Sequence, residues 1–229
     1  MNVVAVRLLL SAAYPLLAHA ASATGDTRLA AIALLDILLI LLVLPLLAGR
    51  VWAWALVVAS AALLWRMQLS TLLPVVLLLP PVLITAFLSW GFARTLRPGQ
   101  TPLISRIVAG LEHCPAHDLA PSLRDYTRSL TRFWALLLGG LALANLALGI
   151  VAVPDGLLAR LGQPSPVQVP RLMWSWFANL LDYGIVAAVF VIEYIIRMRR
   201  FPDRPYRSFP EFLRRLGALG PAFWRDVLR

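Results

Sequence analysis

Thiol, imidazole and carboxylate side chains fall together in one stretch of this chain, Glu112-His113-Cys114-Pro115-Ala116-His117-Asp118. Imidazole and thiolate are good zinc ligands, and a thiolate beside a base is a nucleophile. His113, Cys114 and His117 nevertheless lack the separated ligand pairs of established zinc motifs, and Pro115 limits the local geometry. A reactive thiol also needs an electropositive, partly exposed setting, which so short a cluster does not define. The plain reading is a polar helix terminus and turn. His113, Cys114 and His117 stand as metal candidates only; no catalytic residue or cofactor is assigned.

The second group of chemically able residues lies inside long apolar runs. These are the acids Asp36, Asp182 and Glu193, with Asn145 and Asn179 as further polar candidates. Ionisable side chains in hydrocarbon are costly enough to be functional hypotheses by default. Asp182 and Glu193 are about three helical turns apart, roughly 16 Å, too far for a paired-carboxylate catalytic site. They suit either a proton relay or polar glue between helices, with Asp36 and Asn145 as partners. Glu193 also has Arg197 at the i,i+4 spacing of a helical ion pair.

The elements that must position these residues follow from composition. Hydrophobic residues make up 60% of the chain and charged ones 14%, with a mean hydropathy of +0.79, beyond an ordinary soluble domain. The expected fold is an all-α polytopic integral membrane protein of about six transmembrane helices with amphipathic interfacial helices. The spans are Val3 to Ala21, Leu29 to Ala48, Val51 to Trp65 extended through Ser70, Thr71 to Phe92, Phe133 to Val153 and Leu172 to Ile196. Ala18-His19-Ala20 also fits the small-x-small rule of signal-peptide cleavage, but the basic leader is thin and another apolar run follows at once, which favours a retained helix. Pro74 and Pro80-Pro81 predict a kink in the fourth run. That one break has no counterpart in the other half of the chain, so the signature of an inverted-repeat transporter is missing.

The chain divides linearly into a four-helix membrane region (1–93), an interfacial amphipathic segment (94–132), a two-helix membrane region (133–196) and a basic amphipathic tail (197–229). Net charge is +10, and no lysine contributes to it. The arginines concentrate in the central segment (Arg94, Arg97, Arg106, Arg124, Arg128, Arg132) and the tail (Arg197, Arg199, Arg200, Arg204, Arg207, Arg214, Arg215, Arg225, Arg229). Such clusters flank membrane helices on the cytoplasmic side, which excludes nucleic acid as the explanation of the charge and places both termini in the cytoplasm.

In the central segment Thr101 is the expected N-cap and Pro102 the first turn of a short amphipathic helix. Its stripe of Leu103, Ile104, Ile107, Val108 and Leu111 is expected to rest on the inner leaflet, with Arg106 toward headgroups. Ser122 and Asp125 form a capping-box pattern for a helix that continues into the fifth span, and Ser208 with Glu211 repeats the pattern in the tail. The tail helix carries Phe209, Phe212, Leu213 and Leu216 beside Arg214 and Arg215, the composition of a membrane-surface helix. Arg94, Arg97, Arg106, Arg199, Arg200, Phe209, Phe212, Arg214 and Arg215 are the candidate interface or docking residues, with membrane lipid as partner.

Four stretches carry a resemblance: Phe92-Ala93-Arg94-Thr95-Leu96-Arg97-Pro98-Gly99 with Pro102-Leu103-Ile104; Trp174-Ser175-Trp176-Phe177-Ala178-Asn179; Glu193-Tyr194 with Arg197; and Ser208-Phe209 leading to Phe212-Leu213-Arg214. Together they resemble an uncharacterised family of small bacterial inner-membrane proteins encoded among the genes for aryl-polyene pigments of the xanthomonadin type. The earlier spans match only in hydrophobic character. The resemblance implies a role in making, handing over or exporting a polyene lipid, in association with polyketide-type synthases or acyl carrier proteins. It does not imply condensing activity, which in thiolase-type enzymes uses a Cys and two His on a large soluble α/β domain. The expected role is an accessory or scaffold that positions such partners, or their product, at the cytoplasmic leaflet. The alternative is a small transporter or flippase-like component moving a lipid or proton past Asp36 and Asp182.

Overall fold

Gly25 and Asp26 make the first reversal of the chain. Gly25 sits at φ +72°, in the left-handed region that glycine enters without a Cβ clash. Asp26 then caps the next helix by accepting from the Arg28 amide at 2.7 Å. This turn joins α1 (Val3–Thr24) to α2 (Thr27–Leu47); Gly49, at φ +66°, leads on into α3 (Val51–Met67). The computed structural model describes residues 3–67, 73–154, 156–165, 167–202, 206, 208–220 and 223, without the side chains of 4, 73–75, 171 and 179. The start of the fourth apolar run, the extension of the third through Ser70, and Arg204, Arg207, Arg225 and Arg229 of the tail lie outside the described residues.

The described chain continues with α4 (Leu73–Arg94), α5 (Leu103–Glu112), α6 (Pro121–Val151) and the short α7 (Leu157–Arg160). A six-residue α8 (Arg171–Trp176) leads through a π-helical turn, Phe177–Leu181, directly into α9 (Asp182–Arg200), and α10 (Phe209–Ala218) follows in the tail. The only extended pairing among the described residues is a two-residue parallel bridge, Ala152–Val153 with Val169–Pro170, across the loop after α6. The protein is all-helical, and among the described residues four helices are long and apolar enough to cross a membrane: Ala5–Thr24, Thr27–Leu47, Val76–Arg94 and Pro121–Val151. Val51–Met67 is apolar but shorter. Large apolar side chains such as Leu41, Val58, Phe87 and Leu136 stand exposed on these helices, as side chains facing lipid do.

Two compact units divide the contacts, residues 1–82 with 143–186 and residues 83–142 with 187–229. They cut across the linear division read from the sequence, because spatial contact rather than chain order defines them. In the first unit α1 packs on α2, α2 on α3, and α1 on α8 and the π-turn. The seam is built from Ala18, Ala21, Ala30, Ala31 and Ala33 with Tyr14 and Leu77. Small residues let backbones approach closely, the main source of packing energy where lipid is as apolar as the helices.

In the second unit α5 is seated by hydroxyl groups of its neighbours. The Leu103 amide donates to Thr95 Oγ1 at 2.9 Å and the Ile104 amide to Thr131 Oγ1 at 3.3 Å. Ser105 and Thr127 share a hydroxyl–hydroxyl bond of 2.7 Å. Thr101 is therefore not the N-cap: the cap position is Pro102, and threonines distant in sequence satisfy the orphan amides. Ser122 is not a cap either, because α6 already begins at Pro121, a residue suited to the first helical position. The predicted continuity of this helix into the fifth span is observed. Pro80 and Pro81 lie inside α4, whose helical path continues through both.

The apolar face of α10 is turned inward. Phe209, Phe212 and Leu216 pack with Tyr194, Tyr206, Phe190 and Leu111, so the tail helix covers α5 and α9 and its stripe does not rest on lipid. The expected cap does form, Ser208 Oγ accepting from the Glu211 amide at 3.4 Å. A Cβ on Gly110 of α5 would lie 2.7 Å from the Phe223 ring and 3.3 Å from Leu219.

Two stability outcomes follow. Thr127→Val, which keeps shape and removes the hydroxyl at a fully buried site, is expected to lower stability by about 1–3 kcal/mol. Adding Ser105→Ala should then cost less than it does alone, as read by denaturant titration in detergent micelles. Gly110→Leu should displace Phe223 and speed proteolysis of the tail, while leaving the mass of the protected membrane fragments unchanged.

Candidate functional site

In the first unit three polar residues of the apolar helices are buried, and two of them meet. Asp36 of α2 is 5% exposed, Asn145 of α6 1% and Asp182 at the start of α9 5%. Asn145 Nδ2 donates a short hydrogen bond to Asp182 Oδ2. The other Asp182 oxygen, Oδ1, and Asp36 Oδ2 are buried without a hydrogen-bond partner among the described residues, as is the hydroxyl of Tyr14 on α1. Tyr14 is within Coulombic reach of Asp36 and Tyr183, and Tyr183 within reach of Asp182. No arginine is paired with either aspartate among the described residues. Beside this group His19 Nδ1 lies 2.9 Å from Ser175 Oγ, and its ring meets Trp176 edge-on at 4.9 Å.

The local chain explains how Asp182 comes to this place. The π-turn of Phe177–Leu181 ends immediately before it and shifts the facing of the helix relative to an unbroken α-helix. Such turns recur at functional sites because they re-aim side chains at the cost of regular hydrogen bonding. The backbone of Asn179 belongs to the turn; its side chain lies outside the described residues. A cavity of about 50 Å³ beside Trp174, bounded by Ser22, Asp26 and Leu77, has room for water and not for a lipid.

Glu193 belongs to a different arrangement, in the second unit. Its Oε1 lies 3.2 Å from Arg197 Nε and accepts from the Tyr126 hydroxyl at 3.2 Å. The Arg197 guanidinium stacks 4.8 Å over Phe212 and 5.7 Å from the Tyr206 ring centre. This is the i,i+4 pair read from the sequence, enclosed by aromatic rings. It is a structural joint among α6, α9 and the tail, so Glu193 does not extend the aspartate cluster.

The Glu112–Asp118 turn takes the bland role. His113 has φ +53° and ends α5 in the left-handed conformation, while the Cys114 amide donates to the Ala109 carbonyl at 3.1 Å, closing the helix terminus. Cys114 packs half-buried with Val108, Ala109 and Leu119. The His117 side chain is 81% exposed and lies 3.6 Å from Asp118. Among the described residues no three potential metal ligands converge. Behind the turn is a chamber of about 390 Å³, whose walls include Leu111, Cys114, Leu119, Arg197, Arg200 and Tyr206.

Comparison with protein-family models, curated proteins and solved structures yields no match. The sites therefore stand on geometry. Of the docking residues, Phe212 is buried and Phe209 partly so, both engaged within the chain. Arg215 is bound to Glu211 at 2.9 Å, and Arg199, Arg200 and Arg214 are exposed. Tyr14, Tyr126 and Tyr206 are not marked in the sequence, because nothing local to a tyrosine tells whether its ring and hydroxyl are enclosed or face an interface.

Arg197→Met should cost about 3–5 kcal/mol, because it strands a buried carboxylate. The double variant Glu193→Gln/Arg197→Met should recover most of that loss in the same unfolding measurement.

Proposed function

We propose that this chain is a bacterial inner-membrane protein of six spans, with both termini cytoplasmic, working as a small proton-coupled transport component in which Asp36 and Asp182 take up and release the proton. One observation carries the reading: each aspartate keeps a buried oxygen without a hydrogen-bond partner among the described residues, and no arginine is paired with either one there. An uncompensated carboxylate in hydrocarbon is expensive, and a proton removes the charge.

A second reading is supported by the chamber of the second unit. At about 390 Å³ it falls in the range of small-molecule sites, with apolar walls from Leu111, Leu119 and Tyr206, carboxylates from Glu112 and Asp118, and guanidinium groups from Arg200 and from Arg197, which Glu193 also engages. This favours an accessory or scaffold role in which the end of a polyene-type lipid, or a carrier-bound precursor, is held for polyketide-type synthases or acyl carrier proteins.

Infrared difference spectra of the purified protein across a pH step should show a protonated-carboxyl band. Asp36→Asn and Asp182→Asn should each remove part of it, and a spectrum unchanged in both variants would sink the proton reading. Filling the chamber with Leu119→Trp should reduce lipid or pigment output in cells if the accessory reading holds. Topology is checked by cysteine labelling at His117, in a Cys114→Ser background, and at Gly162. Reagent confined to the periplasm should reach only position 162.

A further inference from the structure

Asp36 and Asp182 sit on different helices, α2 and α9, and a third helix packs against the surroundings of both. α1 lies on α2, which carries Asp36, and on the π-turn of Phe177–Leu181, which runs straight into Asp182 and Tyr183. Near the Gly25 turn its packing face consists of alanines, Ala18 and Ala21 against Ala30 and Ala33. Farther along α1 the face changes to Tyr14, and Ile37 and Ile40 of α2 close on the same cluster. Asp36 stands three residues after Ala33 and four before Ile40, so its carboxyl projects from the side of α2 that Tyr14 meets.

Tyr14 is 4% exposed, and its hydroxyl is buried without a hydrogen-bond partner among the described residues. A buried phenol ordinarily has one, because its oxygen both donates and accepts. The groups within Coulombic reach of it are Asp36 on α2 and Tyr183 at the start of α9, and Asp182 is within reach of Tyr183 in turn. His19, on the same helix as Tyr14, is engaged elsewhere, with Ser175 of α8. Tyr14 therefore stands where a proton crossing from one aspartate to the other needs a group able to give and take at a single atom.

We propose that the Tyr14 hydroxyl, seated between Asp36 and Tyr183, is the link through which a proton passes between Asp182 and Asp36. This rests on the proton reading and deepens it. In the step, the O–H bond of protonated Asp182 breaks as its proton forms a new O–H bond at Tyr183. Tyr183 releases its own proton to Tyr14, and Tyr14 releases its own to ionised Asp36. Asp182 ends as the carboxylate and Asp36 as the acid, both tyrosines are neutral phenols before and after, and nothing is oxidised or reduced. A phenol is a far weaker acid than a carboxylic acid, so the transfers are concerted and no phenolate accumulates. Because the hydroxyl is bonded to no described residue in this structure, the link closes only when the Tyr14 side chain turns toward its neighbours.

The test reconstitutes the full-length chain in liposomes that enclose a pH-sensitive dye and drives proton entry with a potassium–valinomycin potential. Time-resolved infrared spectra after a pH jump follow the two carboxyls in the same preparation, and thermal unfolding reports on the fold. Wild-type flux should disappear in Asp36→Asn and in Asp182→Asn. Tyr14→Phe keeps the ring and should slow the flux about a hundredfold, the lower end of what a positioned proton-transfer group contributes. The two carboxyl bands should rise together in the wild type and at separate rates in Tyr14→Phe, with Tm retained. Tyr14→3-fluorotyrosine, which returns a hydroxyl to the same ring, should restore the flux. Tyr194→Phe, at a buried ring of the second unit, should match the wild type. Wild-type flux in Tyr14→Phe, bands that still rise together there, or an equal loss in Tyr194→Phe would each overturn the link and leave the proton reading in place. A loss of flux and of Tm in Tyr14→Phe that fluorotyrosine fails to reverse would assign Tyr14 to packing and also overturn the link. Wild-type flux no greater than in empty liposomes, or flux that survives both aspartate variants, would overturn the proton reading itself and the link with it.

Discussion

A polar group buried away from water must find its partner within the protein, and the rest of this structure is arranged around that constraint. Water is not there to satisfy a stray hydroxyl or amide, so each buried polar side chain either joins another or remains a local liability. In the second unit the liability is removed. Thr127 and Thr131, four residues apart on α6, present hydroxyls on one face; Thr131 donates to the Thr127 carbonyl at 2.7 Å while accepting from the Ile104 amide. Glu193 and Arg197 cancel one another's charge, and Tyr126 adds a donor to the carboxylate. In the first unit the constraint is met only in part, because Asn145 satisfies one oxygen of Asp182 and leaves the other. The contrast separates a satisfied buried acid from an unsatisfied one: Glu193 is paired and hydrogen-bonded, and Asp36 Oδ2 has no hydrogen-bond partner among the described residues.

The same constraint explains the tail. An amphipathic helix records that one face avoids water without saying what that face meets. For α10 the sequence pattern suits a lipid surface, but the aromatic side chains of Tyr194, Tyr206 and Phe190 offer a protein surface with edge-to-face geometry, Tyr194 meeting Phe209 at 5.2 Å and 77°. Gly110 permits the close approach of Phe223 to α5. A helix covered this way presents Leu213 and Arg214 outward and keeps its phenylalanines for itself.

How much was legible in the chain depends on how local each cause is. Helices of twenty or so apolar residues declare themselves, and so do Ser208 with Glu211 and Glu193 with Arg197, whose partners lie within one turn. The caps of α5 do not, because Thr95 and Thr131 are distant in sequence, and Thr101 only looks like the nearer answer. The π-turn before Asp182 has no sequence signature of the kind that proline gives a kink. Asp36, Asn145 and Asp182 were visible as polar intrusions, and the hydrogen bond that distinguishes the pair from the single acid was not. His113 has a role that its side chain does not announce: its backbone angle ends a helix.

On the proposed reading, the partial satisfaction of the aspartate cluster is what would make it responsive. An ionised carboxylate only accepts hydrogen bonds, whereas a protonated one also donates. In the charged state Asp182 Oδ2 is matched to the Asn145 amide, and the charge has no cation to meet. In the neutral state the charge is gone and the carboxyl gains a donor, which can seek an acceptor without any helix having to move. Asp36 and the Tyr14 hydroxyl face the same exchange, since a phenol can give or receive according to its neighbour. A fully paired network would have one hydrogen-bonding pattern and resist the proton. On this reading a partly paired one accepts the proton because the added donor relieves a carboxylate that has no cation beside it.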